Sequence, residues 1–213
     1  MTHMLAAHPR RGDDRLPAGD PRDLVVLLDA EHRPIGTAAR ESVHGRETPL
    51  HLAFSCWLLD DRGRVLMTRR ALTKRSWPGV WTNSFCGHPR PDEPLIDAVR
   101  RHGRGELGLE VDSITPLLPD FDYRAVDASG IVEHEFCPVF IARATDAPDP
   151  HPDEVVEHAW VEVDDLRTAL TAAPWALSPW LRDQAAALDA ADAWPQLAAP
   201  FDRVDPAPEE NRR

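Results

Sequence analysis

Features that define several large classes of proteins are missing from this sequence of 213 residues. Cysteine is scarce: Cys56, Cys86 and Cys137 are an odd number and lie far apart, which excludes a disulfide framework and favours a reducing compartment. No apolar run approaches the roughly 20 residues that a membrane-spanning helix requires. The start, MTHMLAAHPRRGDDR, lacks the apolar segment of a secretory signal peptide. A cytoplasmic location without a membrane partner is therefore expected.

An excess of positive charge is also missing, because 24 Lys and Arg residues against 36 Asp and Glu residues give a formal net charge of -12. The phosphate backbone of a nucleic acid would be repelled by such a chain, so no nucleic-acid partner is expected. A small anionic substrate stays compatible with this balance, since a local basic cluster can dominate the field inside a pocket.

The chain is long enough for one good-sized domain and too short for two comfortable ones. Residues 1–20 and 200–213 mix Pro with charged residues and show no periodicity, which predicts disordered tails around one domain at 21–199. Strand-like runs are Leu24–Leu28, Leu50–Leu59, Arg64–Arg69, Ile131–Ala142 and Val155–Val161. Helix-like segments are Pro94–Leu107, Asp164–Thr171 and Pro179–Ala191. This order of strands and helices predicts an α+β fold.

The segment that follows Trp77 contains the frame G-x5-E-x7-R at Gly87, Glu93 and Arg101. This spacing is typical of Nudix domains, in which the helix after the arginine presents several acids. Those acids bind the metal ions that activate water for hydrolysis. The frame therefore indicates a Nudix-type helix between two strand regions.

Most of the acids expected for hydrolysis are absent from this helix. His102 and Gly105 stand at two of the acidic positions, and only Glu106 remains. One carboxylate is a weak site for two or three metal ions, but it suffices for one Mg²⁺ that is shared with a diphosphate. The frame thus favours the Nudix fold without Nudix hydrolysis.

Four stretches resemble a known family: LHLAFSCWLL, TRRALTKRSWPGVWTNSFCGHP, YRAVDASGIVEHEFCPVF and PWALSPW. They are similar to type I isopentenyl diphosphate isomerases, and the similarity runs from Leu24 to about Trp180. The TNSxCGHP and E-x-E elements are specific to that family. The resemblance implies a fold in which a Nudix-like mixed β-sheet is sandwiched by helices. It also implies an isomerase that interconverts isopentenyl diphosphate and dimethylallyl diphosphate in isoprenoid biosynthesis.

The resemblance also implies roles for individual residues. Cys86 matches the family's essential cysteine, Glu135 its essential glutamate, and Tyr123 a tyrosine that acts beside that glutamate. A further divalent metal ion (Mn²⁺, Mg²⁺ or Zn²⁺) would be held by His44, His51, His88, Glu133 and Glu135. A Mg²⁺ ion would be held by Glu106, the main-chain carbonyl of Cys86 and the substrate diphosphate. The contacts to the diphosphate and the isoprenoid tail would come from Arg40, Arg70, Lys74 and Trp180.

Elementary chemistry agrees with these residue types. Glu133 and Glu135 are two apart on a predicted strand, so their side chains point to one face. Imidazoles combined with carboxylates suit Mn²⁺, Mg²⁺ or Zn²⁺. Double-bond migration through a tertiary carbocation needs two proton carriers, one on each face of the substrate. We assign Glu135 with Tyr123 to proton donation and Cys86 to proton removal in the direction that forms dimethylallyl diphosphate.

Simpler interpretations exist for several of these features. His44 and His51 could face solvent around a turn, and the basic run TRRALTKR could be a solvated strand edge. Cys56 and Cys137 are expected to be buried small hydrophobic residues. The tryptophans other than Trp180 are expected to pack in the core.

Three functions compete: an isomerase, a Nudix pyrophosphohydrolase and a non-catalytic module that kept the fold. The set of candidate residues favours the isomerase, with a small isoprenoid diphosphate as its ligand. A monomer is expected, and an oligomer stays open. Gly103 and Gly105 each weaken a helix by roughly 1 kcal/mol relative to alanine, and close packing of the helix on a strand could account for them.

Overall fold

A computed structural model of the protein describes Asp20 and residues 23–198. The predicted disordered tails lie outside the described residues, apart from Asp20, and their disorder stays a prediction. The strands are β1 (Leu24–Leu28), β2 (Pro34–Ala39), β3 (His51–Leu52), β4 (Phe54–Leu59), β5 (Val65–Arg70), β6 (Trp81–Thr82), β7 (Phe85–Gly87), β8 (Val111–Leu118), β9 (Asp122–Val126), β10 (Val132–Phe136), β11 (Val139–Ala144) and β12 (Val155–Val161). The helices are α1 (Arg40–Val43), α2 (Leu95–Leu107), α3 (Val163–Ala172), α4 (Pro179–Ala190) and α5 (Pro195–Ala198), with a 3-10 turn at Pro174–Ala176.

The strands form two mixed sheets. The smaller sheet has the order β2-β1-β3-β10-β9, and the larger has the order β12-β5-β4-β11-β8, in which β6 pairs with β5 and β7 with β4. Helix α2 packs on one face of the larger sheet, and α3, α4 and α5 pack on the other. The predicted α+β class with helices on both faces of a mixed sheet is confirmed. The division into two sheets was not predicted.

Strand β4 lies at the centre of the larger sheet and is buried along its whole length. Because side chains alternate along a strand, Phe54, Cys56 and Leu58 pack with α2, whereas Trp57 and Leu59 pack with α3 and α4. Burial on both faces explains why FSCWLL reads as a continuous apolar run rather than as an alternating pattern.

Two long predicted strands are each divided in the structure. The run Leu50–Leu59 breaks at Ala53 into β3 and β4, and the run Ile131–Ala142 breaks after Phe136 into β10 and β11. Pro138 has no N–H to donate to a ladder, which favours a break at this point. The two chain segments pass from the smaller sheet to the larger one side by side, and at the crossing point Ala53 N donates a hydrogen bond to Phe136 O at 2.9 Å. The prediction of single strands was wrong for both segments.

Close packing explains one of the two glycines in α2. A Cβ atom added to Gly103 would lie 2.3 Å from Cγ2 of Val111, so α2 approaches β8 too closely for any side chain. The helix ends as predicted, with Gly108 in the left-handed conformation at its C-cap.

Other predictions about the core had mixed outcomes. Cys56 and Cys137 are buried, as expected. Trp175 is 82% exposed, so the expectation of core packing was wrong for this residue. It lies in the 3-10 turn, which offers no buried face. Within the described residues, no helix combines the length and the apolar character that crossing a bilayer demands.

Candidate active site

A cavity of about 650 Å³ opens between the smaller sheet, the end of β5, β7 and α2. His51 lies behind its wall, fully buried, and touches two of the lining side chains. The other residues predicted for catalysis, metal binding or substrate binding all line this cavity: Arg40, His44, Arg70, Lys74, Cys86, His88, Glu106, Tyr123, Glu133, Glu135 and Trp180. The fold therefore brings the whole predicted set together.

Sheet register places three of these residues side by side. In the smaller sheet, Glu135 of β10 is paired with Tyr123 of β9 on one side and with His51 of β3 on the other. Directly paired residues point to the same face of a sheet, so the three side chains form a row along one wall. The hydroxyl of Tyr123 donates a hydrogen bond to Oε2 of Glu135 at 2.9 Å.

Donor atoms converge at one end of this row. The group consists of one ligand atom each from His44, His51, His88 and Glu135, all within 4.8 Å of one another. His88 Nε2 lies 3.2 Å from His51 Nε2 and 3.1 Å from Glu135 Oε1. Adjacent ligands on a cation with bonds of about 2.1 Å are separated by about 3 Å, which these distances match.

The hydrogen bonding of this group also fits a metal ion. His51 Nδ1 lies 2.9 Å from Pro49 O and can donate to it, which leaves Nε2 with a free lone pair toward the group. His44 Nε2 lies 2.8 Å from Glu133 Oε2, but the geometry is not that of a hydrogen bond. Among the described residues, it is the buried side-chain polar atom that lacks a hydrogen-bond partner. Such an atom indicates a site for a bound cation.

The histidines of this group differ in protonation state. Burial alone would lower the pKa of His44, but Glu133 and Glu135 outweigh it and raise the pKa to about 9. Burial lowers the pKa of His88 to about 4, despite the opposing contact with Glu135. In the metal-free protein at neutral pH, His44 is therefore protonated and His88 is neutral.

Glu133 is anchored from a second direction. Ser76 Oγ donates to its Oε1 at 2.6 Å, while Oε2 faces His44. Ser76 was not predicted from the sequence. It follows the basic run, and nothing in its local pattern distinguishes it from a turn serine.

Cys86 lies on β7, in register with Ser55 of β4. Its thiol lies 3.4 Å from Ser55 Oγ and 3.5 Å from Asn83 Nδ2. Burial raises the pKa of this thiol to about 12, although the contacts with Ser55 and Asn83 oppose the rise. The thiol is therefore protonated at neutral pH in the metal-free protein.

An aromatic wall adjoins the thiol. Trp180 is buried, and its ring centroid lies 5.9 Å from that of Tyr123 and 5.4 Å from that of Trp77. The guanidinium of Arg70 lies 5.4 Å from the indole centroid. The wall thus combines a π-face with a nearby cation.

The predicted anion-binding residues all have partners. Lys74, the only lysine of the chain, forms an ion pair with Glu154. Arg40 pairs with Asp23 at 2.7 Å and is 47% exposed, so it lies at the rim. The prediction omitted three further arginines that line the cavity: Arg75, Arg90 and Arg101. The sequence did carry a signal for Arg75, because it belongs to the basic run TRRALTKR, and three of the four basic residues of that run line the cavity.

Helix α2 supplies Glu106 in contact with His102. Nδ1 of His102 lies 2.5 Å from Glu106 Oε1, and Nε2 lies 3.3 Å from His88 O. A Cβ atom on Gly87 would lie 2.4 Å from the His102 ring, so only glycine leaves room for it. His102, Lys74 and Arg70 lower the pKa of Glu106 against the effect of burial, and Glu106 is ionised.

The Nudix-type frame braces the loop that carries His88. Arg101 donates to both carboxylate oxygens of Glu93, at 2.8 and 2.6 Å, and to His88 O at 3.0 Å. Glu93 also accepts from Arg90 N at 2.8 Å. This two-point pairing holds the segment after β7 against α2.

Comparison with known proteins shows the family of this chain. The NUDIX domain family matches residues 49–184. An isopentenyl-diphosphate Delta-isomerase of Agromyces mediolanus is 64% identical over 163 residues, which cover 76% of this chain and 79% of that protein. The corresponding protein of Kocuria rhizophila is 58% identical, covering 75% of this chain and 89% of that protein. That of Frankia alni is 58% identical, covering 85% and 93%.

Solved structures show the fold. DR0079 from Deinococcus radiodurans matches with a TM-score of 0.59 at 19% identity, covering 76% of this chain and 96% of that one. The MutT protein from Methanosarcina mazei matches with a TM-score of 0.53 at 21% identity, covering 68% and 97%. At these identities the likeness shows the fold alone.

Proposed function

The chain belongs to the isopentenyl-diphosphate Delta-isomerase family and contains a Nudix domain, and we propose that the cavity described above is its active site. The enzyme interconverts isopentenyl diphosphate and dimethylallyl diphosphate. The observation that carries the assignment of the site is the presence of two separate proton carriers in one cavity. These carriers are the Tyr123–Glu135 pair and the Cys86 thiol.

The hydrolase alternative has little support in the structure. A Nudix hydrolase needs several carboxylates on α2, and in this chain Glu106 is the acid of that helix segment that lines the cavity. His102 occupies one of the missing acidic positions and contacts Glu106 directly. One carboxylate beside an imidazole is a poor site for the paired metal ions that hydrolysis requires.

We assign the forward reaction to two proton transfers. The Tyr123–Glu135 pair, in which the Tyr123 hydroxyl carries the shared proton, delivers a proton to C4, the terminal alkene carbon of isopentenyl diphosphate, and the positive charge appears on C3. Removal of a proton from C2 by the sulfur of Cys86 then forms the new double bond. Each proton that enters at C4 is balanced by one that leaves from C2.

The proton state of Cys86 matches one direction of this scheme directly. With its pKa raised to about 12, the thiol can protonate C2 of dimethylallyl diphosphate in the reverse reaction. The forward reaction needs the thiolate, which the Asn83 amide and the nearby charge of Arg70 would stabilise.

The carbocation needs an environment that does not quench it. Trp180 offers a buried π-face beside Tyr123 and Cys86, and a cation over such a face gains about 2 kcal/mol when water is excluded. The apolar rings of this wall would also keep water from the charged carbon.

We propose two divalent cations in this site. The group of His44, His51, His88 and Glu135, with Glu133 beside it, would hold Mn²⁺, Mg²⁺ or Zn²⁺. A Mg²⁺ ion would be shared by Glu106, the carbonyl of Cys86 and the substrate diphosphate. The cations would supply positive charge that anchors the diphosphate and orients the carboxyl group of Glu135.

Charge balance supports the need for cations. Seven carboxylates line the cavity against six Arg and Lys side chains, so the protein alone offers no excess of positive charge to a diphosphate. The basic contacts we assign to the substrate are Arg70 and Lys74, with Arg40 at the rim.

The test is incubation of the purified protein with isopentenyl diphosphate and Mg²⁺ in D₂O, followed by NMR. We expect dimethylallyl diphosphate with deuterium in the new methyl group. Cys86→Ala and Glu135→Gln should each reduce the rate by about 1,000-fold or more, the loss expected when one of two obligatory proton carriers is removed. Release of inorganic phosphate without isomerisation would support the hydrolase, and full activity of either variant would exclude that residue as a proton carrier.

A further inference from the structure

One buried side chain touches both the candidate thiol and the candidate indole. Asn83 is fully buried between β6 and β7. Its Nδ2 lies 3.5 Å from Cys86 Sγ, and its Oδ1 accepts a hydrogen bond from Trp180 Nε1 at 3.1 Å. No role in catalysis was predicted for this residue, although it lies in the segment TNSFCGHP.

The orientation of the Asn83 amide is fixed by its neighbours. The indole N–H of Trp180 can only donate, so it must face Oδ1. The carbonyls of Cys56 and Phe85, each 3.1 Å from Nδ2, can only accept. The amide therefore cannot flip, and both of its polar atoms lie beside the thiol, Nδ2 at 3.5 Å and Oδ1 at 3.6 Å from Cys86 Sγ.

Ser55 completes the arrangement from the neighbouring strand. Its hydroxyl accepts from Asn83 Nδ2 at 2.8 Å and lies 3.4 Å from Cys86 Sγ. Gln184 of α4 donates to the same hydroxyl at 3.0 Å. The thiol is thus held by two buried polar side chains, which are themselves anchored to the core.

We propose that Asn83 is a positioning residue that holds the Cys86 thiol and the Trp180 indole in one fixed arrangement, with Ser55 as its support. The proposal rests on the proposed function, in which these two groups act on the same carbocation. Asn83 does not contact the reacting carbons in this scheme. It acts by keeping the sulfur on C2 while the indole stays on the cation.

This role has a distinctive kinetic consequence. A carbocation formed by protonation at C4 either loses a proton from C2 to sulfur or returns to isopentenyl diphosphate by losing one from C4. In D₂O, the return path leaves deuterium at C4 of recovered isopentenyl diphosphate. A misplaced thiol slows only the first path, so the ratio of C4 deuteration to product formation rises.

The experiment compares wild type with Asn83→Ala in D₂O and follows both products by NMR. We expect kcat to fall by about 10-fold to 100-fold, as for a catalytic group displaced by about 1 Å, with a smaller change in KM. The ratio of C4-deuterated substrate to product should rise at least about 5-fold. An unchanged ratio would overturn the proposal, because general loss of structure lowers both paths together.

A matched pair of variants separates positioning from stability. Ser55 and Ser84 are both fully buried serines, but the hydroxyl of Ser84 bonds to Leu58 N and Leu66 O at 2.7 Å and does not touch Cys86. We expect Ser55→Ala to raise the ratio and Ser84→Ala to leave it unchanged at a similar loss of thermal stability. An equal rise in both variants would contradict the proposal. If Asn83→Ala does not fold, Ser55→Ala replaces it as the variant that tests the proposal.

A second measurement does not depend on isomerase activity. The indole N–H of Trp180 should exchange slowly with solvent in the wild type and in Ser84→Ala, and faster in Asn83→Ala, as followed by ¹H–¹⁵N NMR. Fast exchange in the wild type would overturn the proposed hold on the indole. Slow exchange in a protein that does not isomerise would refute the proposed function and leave the contact intact.

Discussion

Binding of a divalent cation to the histidine group should release one proton from His44. Burial favours the neutral imidazole, but Glu133 and Glu135 outweigh it and raise its pKa to about 9. A metal ion needs the neutral imidazole as its ligand, so the proton must leave. His88 is already neutral at this pH, because burial lowers its pKa to about 4.

The magnitude follows from this pKa. At pH 7 the protonated form of His44 outnumbers the neutral form by about 100-fold, which lowers the apparent metal affinity by about 2.7 kcal/mol. Affinity should therefore increase about 10-fold per pH unit between pH 7 and about 9 and then level off. In the metal-free protein the sign is opposite: the ionic contacts of His44 stabilise the fold most below its ordinary pKa of 6.5, and this stabilisation is lost as pH rises through about 9.

Titration calorimetry with Mn²⁺, carried out in buffers of different ionisation enthalpy, measures the protons released. We expect about one proton per ion at pH 7.5 for the wild type. Release should disappear in His44→Gln and persist in His134→Gln, a control on the same strand as Glu135 whose Nδ1 lies 3.3 Å from Thr48 O. An affinity that does not change between pH 7 and 9 would refute this account of the site.

Three further predictions concern single residues. Tyr123 is the only tyrosine, and burial together with the charges of Glu135 and Glu133 raises its pKa well above the ordinary value. The metal-free protein should therefore show no phenolate absorbance near pH 10 until it unfolds. Ionisation of the Tyr123 phenol near pH 10 in the folded protein would contradict this prediction. Glu93→Gln should lower the free energy of unfolding by about 2 kcal/mol at pH 7, since it removes a two-point contact with Arg101. The difference from wild type should vanish at a pH low enough to protonate Glu93, whose pKa is lowered in the folded protein. Denaturant unfolding at pH 7 and at that acid pH measures the difference, and a difference that does not change with pH would rule out the ion pair as its cause. Lys74→Met should raise KM for isopentenyl diphosphate by about 10-fold or more with a smaller effect on kcat, because the ammonium group is assigned to the diphosphate; steady-state kinetics with an unchanged KM would remove Lys74 from the binding site.

The sequence determined the chemical inventory of this protein. The spacing of Gly87, Glu93 and Arg101 predicted a Nudix-type helix, and α2 begins one residue after the predicted start and ends where expected. The pair Glu133 and Glu135 predicted two carboxylates on one face of a strand, because side chains alternate with a period of two residues, and both line the cavity. Local periodicity and residue type are sufficient for such statements.

Tertiary structure decided which side chains meet. His51 is 84 residues from Glu135 and becomes its neighbour only through the parallel pairing of β3 with β10, which no local pattern encodes. The division of the long strand runs, which carries the chain from one sheet to the other, was missed for the same reason. Asn83 gives the same lesson: an asparagine in a turn-like segment is ordinary in sequence. Its contact with Trp180, 97 residues further along the chain, exists only because the fold places the start of α4 beside the segment that joins β6 to β7.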